Sequence, residues 1–524
     1  MPLTFGTAGI RGPLGPGPDK MNVGTVRRFS SGLASFLSDR LGGDPARVVV
    51  GYDARHESDA FARETAGVMS AEGHGILVLP RPLPTPILAY AVRSLDADAG
   101  IMVTASHNPA SDNGLKVYLG GRLTDDVGRG TQIASPTDAE IQVWIDKVGD
   151  RAKGHPGAWT VLGDEVEDGY VRAISGLVPP PVGQVATRRS ALGVALTPLH
   201  GVGGAPALAV LKAAGFTDVS PVDEQFEPDP DFPTAPFPNP EEPGAMDLVL
   251  DLARSSGAGL AIALDPDADR CALGTSIDGA WRTLTGDEFG CLLGEWIAGR
   301  LAAGETLPGV APGSRTLATT VVSSRRLLAI ATRHGLPEAT TLTGFKWLSR
   351  VPGLAYAYEE ALGYCLAPEI VRDKDGISAA LIAAEFASLL AASGSSPGTA
   401  LDDLDRTYGV RLTRLVSIRT PSPADATQAV SRILASAPTS LGGSSVVSVE
   451  DASKGLDGLP PTPGIRIVTE AGTQVVIRPS GTEPKVKAYL EVARAIADDR
   501  TLEREAARTV MNAVEADVRA MLPG

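Results

Sequence analysis

The chain has 524 residues, 43% of them hydrophobic, and a formal net charge of -15. That length exceeds a single core and predicts roughly three or four domains of about 100 to 200 residues, while the charge excludes a general binder of nucleic acid or of anionic membranes, which demand broad positive surfaces. Cys271, Cys291 and Cys365 are odd in number and lie at no metal-ligand spacing, so neither a disulfide framework nor a zinc site is expected, and with no basic-then-apolar leader and no run near the roughly 18 apolar residues of a membrane span, an unexported cytoplasmic protein is expected.

At the start, Gly6-Thr-Ala-Gly-Ile-Arg-Gly12 is flexible enough to approach a ligand, a weak signal alone. Val48 to Gly51 reads as an apolar strand, followed by a helix from Asp59 to Glu72 and a strand from Gly75 to Leu79. Ile101 to Val103 ends another strand, because Asn108-Pro109 cannot continue it. Thr104-Ala-Ser-His-Asn-Pro109 therefore lies where α/β sheets bind ligands. A serine hydroxyl is a weak nucleophile, so Ser106 set among Thr104, His107 and Asn108 suggests a residue that holds a group such as phosphoryl. Asn113-Gly114 predicts a tight turn that returns Lys116 toward the serine. The bland alternative is a Ser/Thr turn with a surface histidine. A Ser-His-Asp hydrolase is excluded because no Gly-x-Ser-x-Gly surrounds Ser106 and an adjacent histidine is not expected to reach its neighbour's hydroxyl.

Pro179-Pro-Pro181 marks a hinge, after which the strand-helix plan recurs at Leu192 to Leu196 and Pro206 to Ala214. Gly201-Val-Gly-Gly204 has the wrong spacing for a dinucleotide fingerprint. Pro221 to Gly244 holds eight prolines and seven carboxylates and is expected to be a surface excursion in preference to a direct participant. Gly259 to Leu264 reads as a buried strand that stops at Asp265. Pro266 discourages helix, so Asp265, Asp267 and Asp269 can curl around one ion, and an oxygen-only set suits Mg²⁺. Arg270 would address phosphate or hold the loop. An EF-hand is excluded, since its sixth position is Arg270 and its twelfth Ser276; a solvated acidic turn is the bland reading. Thr285-Gly-Asp-Glu288 reads as a helix capping box.

Gly304 to Gly313 marks a second hinge, and Thr316 to Val322, Arg325 to His334 and Ala339 to Leu342 repeat the plan a third time. Lys346, Arg372, Lys374 and Asp375 are secondary candidates for which surface charge is an equal reading. From about Leu412 the pattern changes to strand (Arg414 to Arg419), helix (Pro423 to Ala435), strands near Val446, Gln474 to Ile477 and Lys487 to Val492, and a helix from about Asp498 to Leu522. Between the last strands, Arg478-Pro-Ser480-Gly481-Thr482 offers an arginine fork, two hydroxyls and exposed amides to a phosphate, with Lys487 as a weaker contact. The expected architecture is three related α/β domains with mainly parallel mixed sheets (1–188, 189–303 and 304–411) and a smaller C-terminal α+β domain (412–524), around a central cleft.

Phe5-Gly-Thr-Ala-Gly-Ile-Arg-Gly12, the serine loop, Asp265-Pro-Asp-Ala-Asp-Arg270 and Arg478-Pro-Ser-Gly-Thr-Glu-Pro-Lys485, in that order, resemble the α-D-phosphohexomutase family. Thr341 to Trp347 and Glu359 to Tyr364 look most like the branch holding phosphoglucomutase-2 and phosphopentomutase type enzymes. The resemblance implies a phospho-sugar mutase acting on glucose or mannose phosphates, with a phosphopentomutase or a sugar-bisphosphate synthase as alternatives. It implies Ser106 as phosphoryl carrier, Mg²⁺ held by Ser106, Asp265, Asp267 and Asp269, and a sugar 1,6-bisphosphate as intermediate and activator. His107 and Lys116 would handle protons or steady phosphate, beside the active-site Arg11. Glu360 would grip the sugar, Lys346 and Arg270 would assist, and Arg478, Ser480, Gly481, Thr482 and Lys487 would hold the other phosphate. The serine and histidine usual on the sugar loop are Leu362 and Tyr364 here, a departure expected to loosen selection between sugars. A non-catalytic sensor would lack the nucleophile or the carboxylates, and all are present. A phosphorylated sugar is the expected partner of a monomer or homodimer.

Overall fold

The computed structural model of the chain describes residues 3–6, 9–149, 157–480, 484–495 and 500–522. In the first sheet Arg47–Tyr52 runs parallel to Gly75–Val78 and to Ala99–Val103, and Asp112–Leu119 and Gly9–Pro13 extend it antiparallel. Val48 and Val50 enter one core cluster and Val49 the other. Burial on both faces is what makes a continuous β-branched run a central strand.

The second sheet places Leu260–Leu264 between parallel Val194–Thr197 and antiparallel Cys271–Ile277. In the third, Leu354–Glu359 lies between parallel Thr316–Thr320 and antiparallel Gly363–Cys365. Each parallel run thus closes in a hairpin, and the three hairpin turns are the serine, aspartate and sugar loops. Each turn also carries one non-glycine residue in the left-handed region, namely Ser106 (φ 55), Ala268 (φ 55) and Leu362 (φ 63).

Helices do not keep to the sheet nearest in sequence. Gly286–Ala302, which the sequence places ahead of the third domain, packs on the third sheet, with Tyr356 Oη donating to Gly290 O at 2.8 Å. Gly376–Ala392 packs on the second sheet. Its burial accounts for its apolar composition, and among the described residues no single helix is long and apolar enough to cross a membrane. One apolar cluster therefore runs through the first three domains.

The fourth domain is a six-stranded antiparallel sheet ordered Val410–Arg419, Lys485–Arg494, Gln474–Pro479, Ile465–Thr469, Ser444–Asp451 and Ser440–Leu441. Helices Pro423–Ala435 and Arg500–Met521 cover it and close a separate core. Val321 and Val322 of the third domain pack against Val476 and Tyr489 of the fourth. Beside that patch Glu491 accepts from Ser324 Oγ at 2.8 Å and from Arg325.

The turn expected at Asn113-Gly114 is absent. Both residues lie within Asp112–Leu119, paired with Gly12 and Arg11. A Cβ on Gly114 would fall 2.5 Å from Ile10 O, so close approach of the edge strand, and not a turn, requires glycine there.

Candidate active site

Ser106 sits three residues beyond Val103, with its N–H donated to Thr104 Oγ1 at 2.8 Å. Its Oγ donates to Asp265 Oδ2 at 2.9 Å, so two loops 159 residues apart meet atom to atom. Lys116 comes from the returning strand, and its Nζ donates to Asp267 Oδ2 and Asp269 Oδ2, each at 2.6 Å. The three aspartates offer carboxylate oxygens within 4.8 Å of one another. Thr85 Oγ1 donates to Asp267 Oδ2 at 2.5 Å, and Lys374 Nζ lies 3.4 Å from Asp269 Oδ2.

The charges follow from this crowding. Burial, with Asp267 and Asp269 beside it, pushes the Asp265 carboxyl well above the ordinary range. Burial acts the same way on Asp269, but Lys116, Lys374 and Arg270 outweigh it and hold that carboxyl below its usual value. Burial disfavours the Lys116 and Lys374 ammoniums, yet the carboxylates around them raise both. The carboxylates therefore favour the charged form of Lys116.

His107 Nδ1 lies 3.1 Å from Ser106 Oγ, contrary to the expectation that an adjacent imidazole cannot reach its neighbour. The left-handed φ of Ser106 folds the next residue back over the hydroxyl. Burial, then the cationic Arg270 and Arg11, push the imidazole well below its ordinary value, so it is neutral. A hydrolytic triad remains excluded, because Asp265 takes the serine hydroxyl directly instead of orienting the histidine.

Arg11 Nη1 donates to Asn108 Oδ1 at 3.0 Å, which puts it on the serine loop. The Arg270 N–H donates to Asp265 Oδ1 at 3.0 Å, and its guanidinium reaches Glu241 Oε2 at 3.4 Å. Pro221–Gly244 is therefore more than a surface excursion: Glu241 meets Arg270, Asp231 meets His56 at 2.7 Å, and Phe232 is buried. Ala235 of the same segment packs against Leu199 and Ala245.

On the sugar loop, Glu360 Oε2 accepts from Ser323 Oγ at 2.8 Å, and burial raises its carboxyl. Burial pushes neighbouring Glu359 up to about 7. Leu362 and Tyr364 are core residues, 3% and 0% exposed, and the Tyr364 ring packs on Phe289. They are thus not the altered sugar contacts expected. Leu362 instead offers its carbonyl to the Cys271 N–H at 3.1 Å, joining the sugar and aspartate loops.

Lys346 is buried on the short helix Phe345–Leu348, and burial lowers its ammonium. Arg478 Nη1 donates to Thr343 Oγ1 at 2.7 Å, bringing the fourth domain to the same segment. Lys487 pairs with Arg478 across adjacent strands, and the Ser480 N–H donates to Lys485 O at 2.8 Å. Gly481 and Thr482 lie outside the described residues, as does Thr7 of the N-terminal loop.

Among the secondary candidates, Arg372 donates to Ser349 O and Asp375 caps the helix Gly376–Ala392, both structural roles. Lys374 belongs to the aspartate cluster. Asp373 Oδ2 accepts from Tyr118 Oη and Gln132 Nε2, each at 2.9 Å, tying the third domain to the first. Thr85 and Arg55, which binds the serine loop, were missed. Arg55 follows a buried strand at its ligand-facing end, which was the available signal; Thr85 gave none.

Four family models described as phosphoglucomutase/phosphomannomutase match in order: alpha/beta/alpha domains I, II and III over 2–148, 168–276 and 285–408, and the C-terminal domain over 415–508. A "Probable phosphomannomutase" of Haemophilus influenzae is 38% identical over 479 residues, 90% of this chain and 93% of that protein. A "Probable phosphoribomutase" of Schizosaccharomyces pombe is 34% identical over 528 residues, 93% of this chain and 86% of that one. A phosphoglucomutase/phosphomannomutase family protein from Burkholderia thailandensis has the same fold, with a TM-score of 0.72 at 19% identity over 99% of this chain and 98% of its own. With all four domains matched in order and relatives above 30% identity along nearly its whole length, the chain belongs to the phosphoglucomutase/phosphomannomutase family.

Proposed function

We propose that this phospho-sugar mutase moves a phosphoryl group between O1 and O6 of glucose or mannose phosphate, with Ser106 as the carrier. The observation that carries this is Ser106 Oγ bonded to Asp265 while Lys116 bridges Asp267 and Asp269, so a nucleophile, a cation and three carboxylates share one buried point. The donor set fits a hard divalent ion: all its ligand atoms are oxygen, Asp267 Oδ1 and Asp269 Oδ1 are buried without hydrogen-bond partners, and burial beside Asp267 and Asp269 disfavours the Asp265 charge. Asp265, Asp267, Asp269 and Ser106 would hold Mg²⁺, which would supply charge compensation to the phosphoryl oxygens.

A sugar 1,6-bisphosphate primes the enzyme by phosphorylating Ser106. A hydroxyl oxygen of the sugar monophosphate then bonds to phosphorus as the bond to Ser106 Oγ breaks and its electron pair returns to Oγ. The hydroxyl proton passes to the neutral His107 imidazole, which gives its Nδ1 proton to Oγ, while the Lys116 ammonium steadies the charge. The bisphosphate turns over in the cleft, and Ser106 Oγ takes the other phosphate by the reverse of these transfers. Arg478, Ser480, Gly481, Thr482 and Lys487 hold the phosphate that is not reacting, and Glu360 holds the sugar. Ser106 is 3% exposed, which limits competition from water.

The test is transfer of label from ³²P-labelled glucose 1,6-bisphosphate. Wild type should label on Ser106; Ser106→Ala should take up none and lose nearly all turnover while still binding sugar phosphate by calorimetry. An active Ala variant would refute the carrier assignment. A phosphopentose substrate, exchanged between O1 and O5, is the second reading, favoured by the similarity to a phosphoribomutase and by a sugar loop that offers Glu360 while Leu362 and Tyr364 are withdrawn into the core. A panel of sugar 1-phosphates assayed for kcat/KM separates the two, and net release of bisphosphate would mark a synthase.

A further inference from the structure

Four backbone carbonyls of the serine loop accept hydrogen bonds from one side chain. Arg55 Nη2 donates to Ser106 O at 2.5 Å and Asn108 O at 2.6 Å, and Nη1 to Pro109 O at 2.9 Å and Asp112 O at 3.3 Å. Arg55 is 4% exposed. Its Nε lies 3.3 Å from Asp53 Oδ2, and Asp53 is fixed in turn by Ser58 Oγ at 2.6 Å. Phe232, from the proline-rich segment of the second domain, covers the guanidinium at 4.9 Å.

The buried Ser106 carbonyl needs a partner and finds it in Arg55; Pro109 O also accepts the Asp112 N–H at 3.0 Å, so the same guanidinium spans the turn from the serine to the start of the returning strand. A planar fork with five donors can serve all four from one place; an ammonium has three donors at a single point and cannot. The same turn holds Ser106 at φ 55, a conformation that persists only where the surroundings impose it. Its effect is to aim Oγ at Asp265.

We propose that Arg55 is a positioning residue for phosphoryl transfer: it holds the Ser106 loop in its left-handed turn, and Phe232 clamps it there. The inference rests on Ser106 being the carrier. The test compares Arg55→Lys, Phe232→Leu and Ser106→Ala for kcat and KM on glucose 1-phosphate primed with glucose 1,6-bisphosphate, for the rate of ³²P uptake, and for thermal unfolding. Arg55→Lys should lower kcat and ³²P uptake in parallel by about 100-fold, the cost of misplacing a reacting atom by about 1 Å, with KM within about 3-fold. Phe232→Leu should lower kcat by about 5- to 10-fold on the same basis, and it carries the test alone should Arg55→Lys fail to fold. A folded Arg55→Lys enzyme with kcat near wild type overturns the proposal, as does a change confined to KM, which would make Arg55 a substrate contact. If Arg55→Lys does not fold, unchanged kcat in Phe232→Leu overturns it. An inactive Ser106→Ala beside a normal Arg55→Lys sinks the positioning role alone, whereas an active Ser106→Ala sinks the carrier and the inference together.

Discussion

Replacing Lys116 by methionine removes the one ammonium that lies 2.6 Å from both Asp267 and Asp269 and leaves its apolar stem in place. The two carboxylates are 0% and 1% exposed, so water cannot replace the lost charge. Removing one partner of a buried ion pair costs about 3 to 5 kcal/mol, most of it the price of the charge left behind. Because one apolar cluster joins the first three domains, the cooperative unit is about 400 residues, and the transition should fall by about 4 to 6 °C.

The same change should strengthen binding of a divalent ion, since the site becomes more negative by one charge. Calorimetric scans in chelator and in Mg²⁺ would read both effects. The variant should melt below wild type in chelator and recover more than wild type gains on adding Mg²⁺, its own gain being about 2.7 kcal/mol at 100 times its dissociation constant. Turnover should stay low even with stability restored, because the cation beside Ser106 is still missing. A variant that melts with wild type in chelator, or a Mg²⁺ response equal in both proteins, would show that Lys116 does not neutralise the triad.

Gly286→Ala would place a Cβ 1.9 Å from Glu360 O, where only backbone could yield; a stability loss of about 1 to 3 kcal/mol and a raised KM are expected, and unchanged kcat/KM would show that the sugar loop is not set by this contact. Burial lifts Asp287 to about 6 from an ordinary 3.8. The folded chain therefore takes up a proton between those values, and stability is lost as pH rises from about 4 through about 6. Asp287→Asn keeps the acceptor for the Ser324 N–H and Tyr358 Oη without this loss, so its advantage over wild type in urea titrations should grow across that window to at most about 3 kcal/mol. A difference that is flat with pH would place the carboxyl in a wetter setting.

The features legible in the sequence were those where chemistry and strand periodicity coincide. Gly259 to Leu264 ends against Asp265 because a run buried on both faces must stop where carboxylates begin, and the observed strand is Leu260–Leu264. The serine loop was legible for the same reason. Ile465–Thr469 was passed over, although Ile465 and Ile467 alternate inward, because three prolines stand just before it. Arg55 was illegible as a partner of Ser106, since its acceptors are backbone carbonyls that any residues would have offered. The misplacing of Leu362 and Tyr364 has a backbone cause: a left-handed φ at Leu362 breaks the strand alternation on which a side-chain direction could have been argued.

That left-handed residue recurs in all three hairpins, and it explains how separate domains build one site. A strand that simply reversed would carry its turn straight out into solvent. A left-handed residue at Ser106, Ala268 or Leu362 bends the turn across the sheet edge, where its backbone becomes available to a neighbouring loop. The Ala268 carbonyl accepts from the Gly376 N–H at 3.1 Å and the Leu362 carbonyl from the Cys271 N–H, while the Ser106 carbonyl is taken by Arg55. Two of the three bends are thus held by another domain, and the third by a side chain that Phe232 of another domain covers. Because each bend costs about 1 to 3 kcal/mol in isolation, the loops gain their conformation from assembly. The Ser106–Asp265 and Lys116–Asp267 contacts cross from the first domain to the second, so docking of the domains is what brings the serine and the aspartate cluster into register.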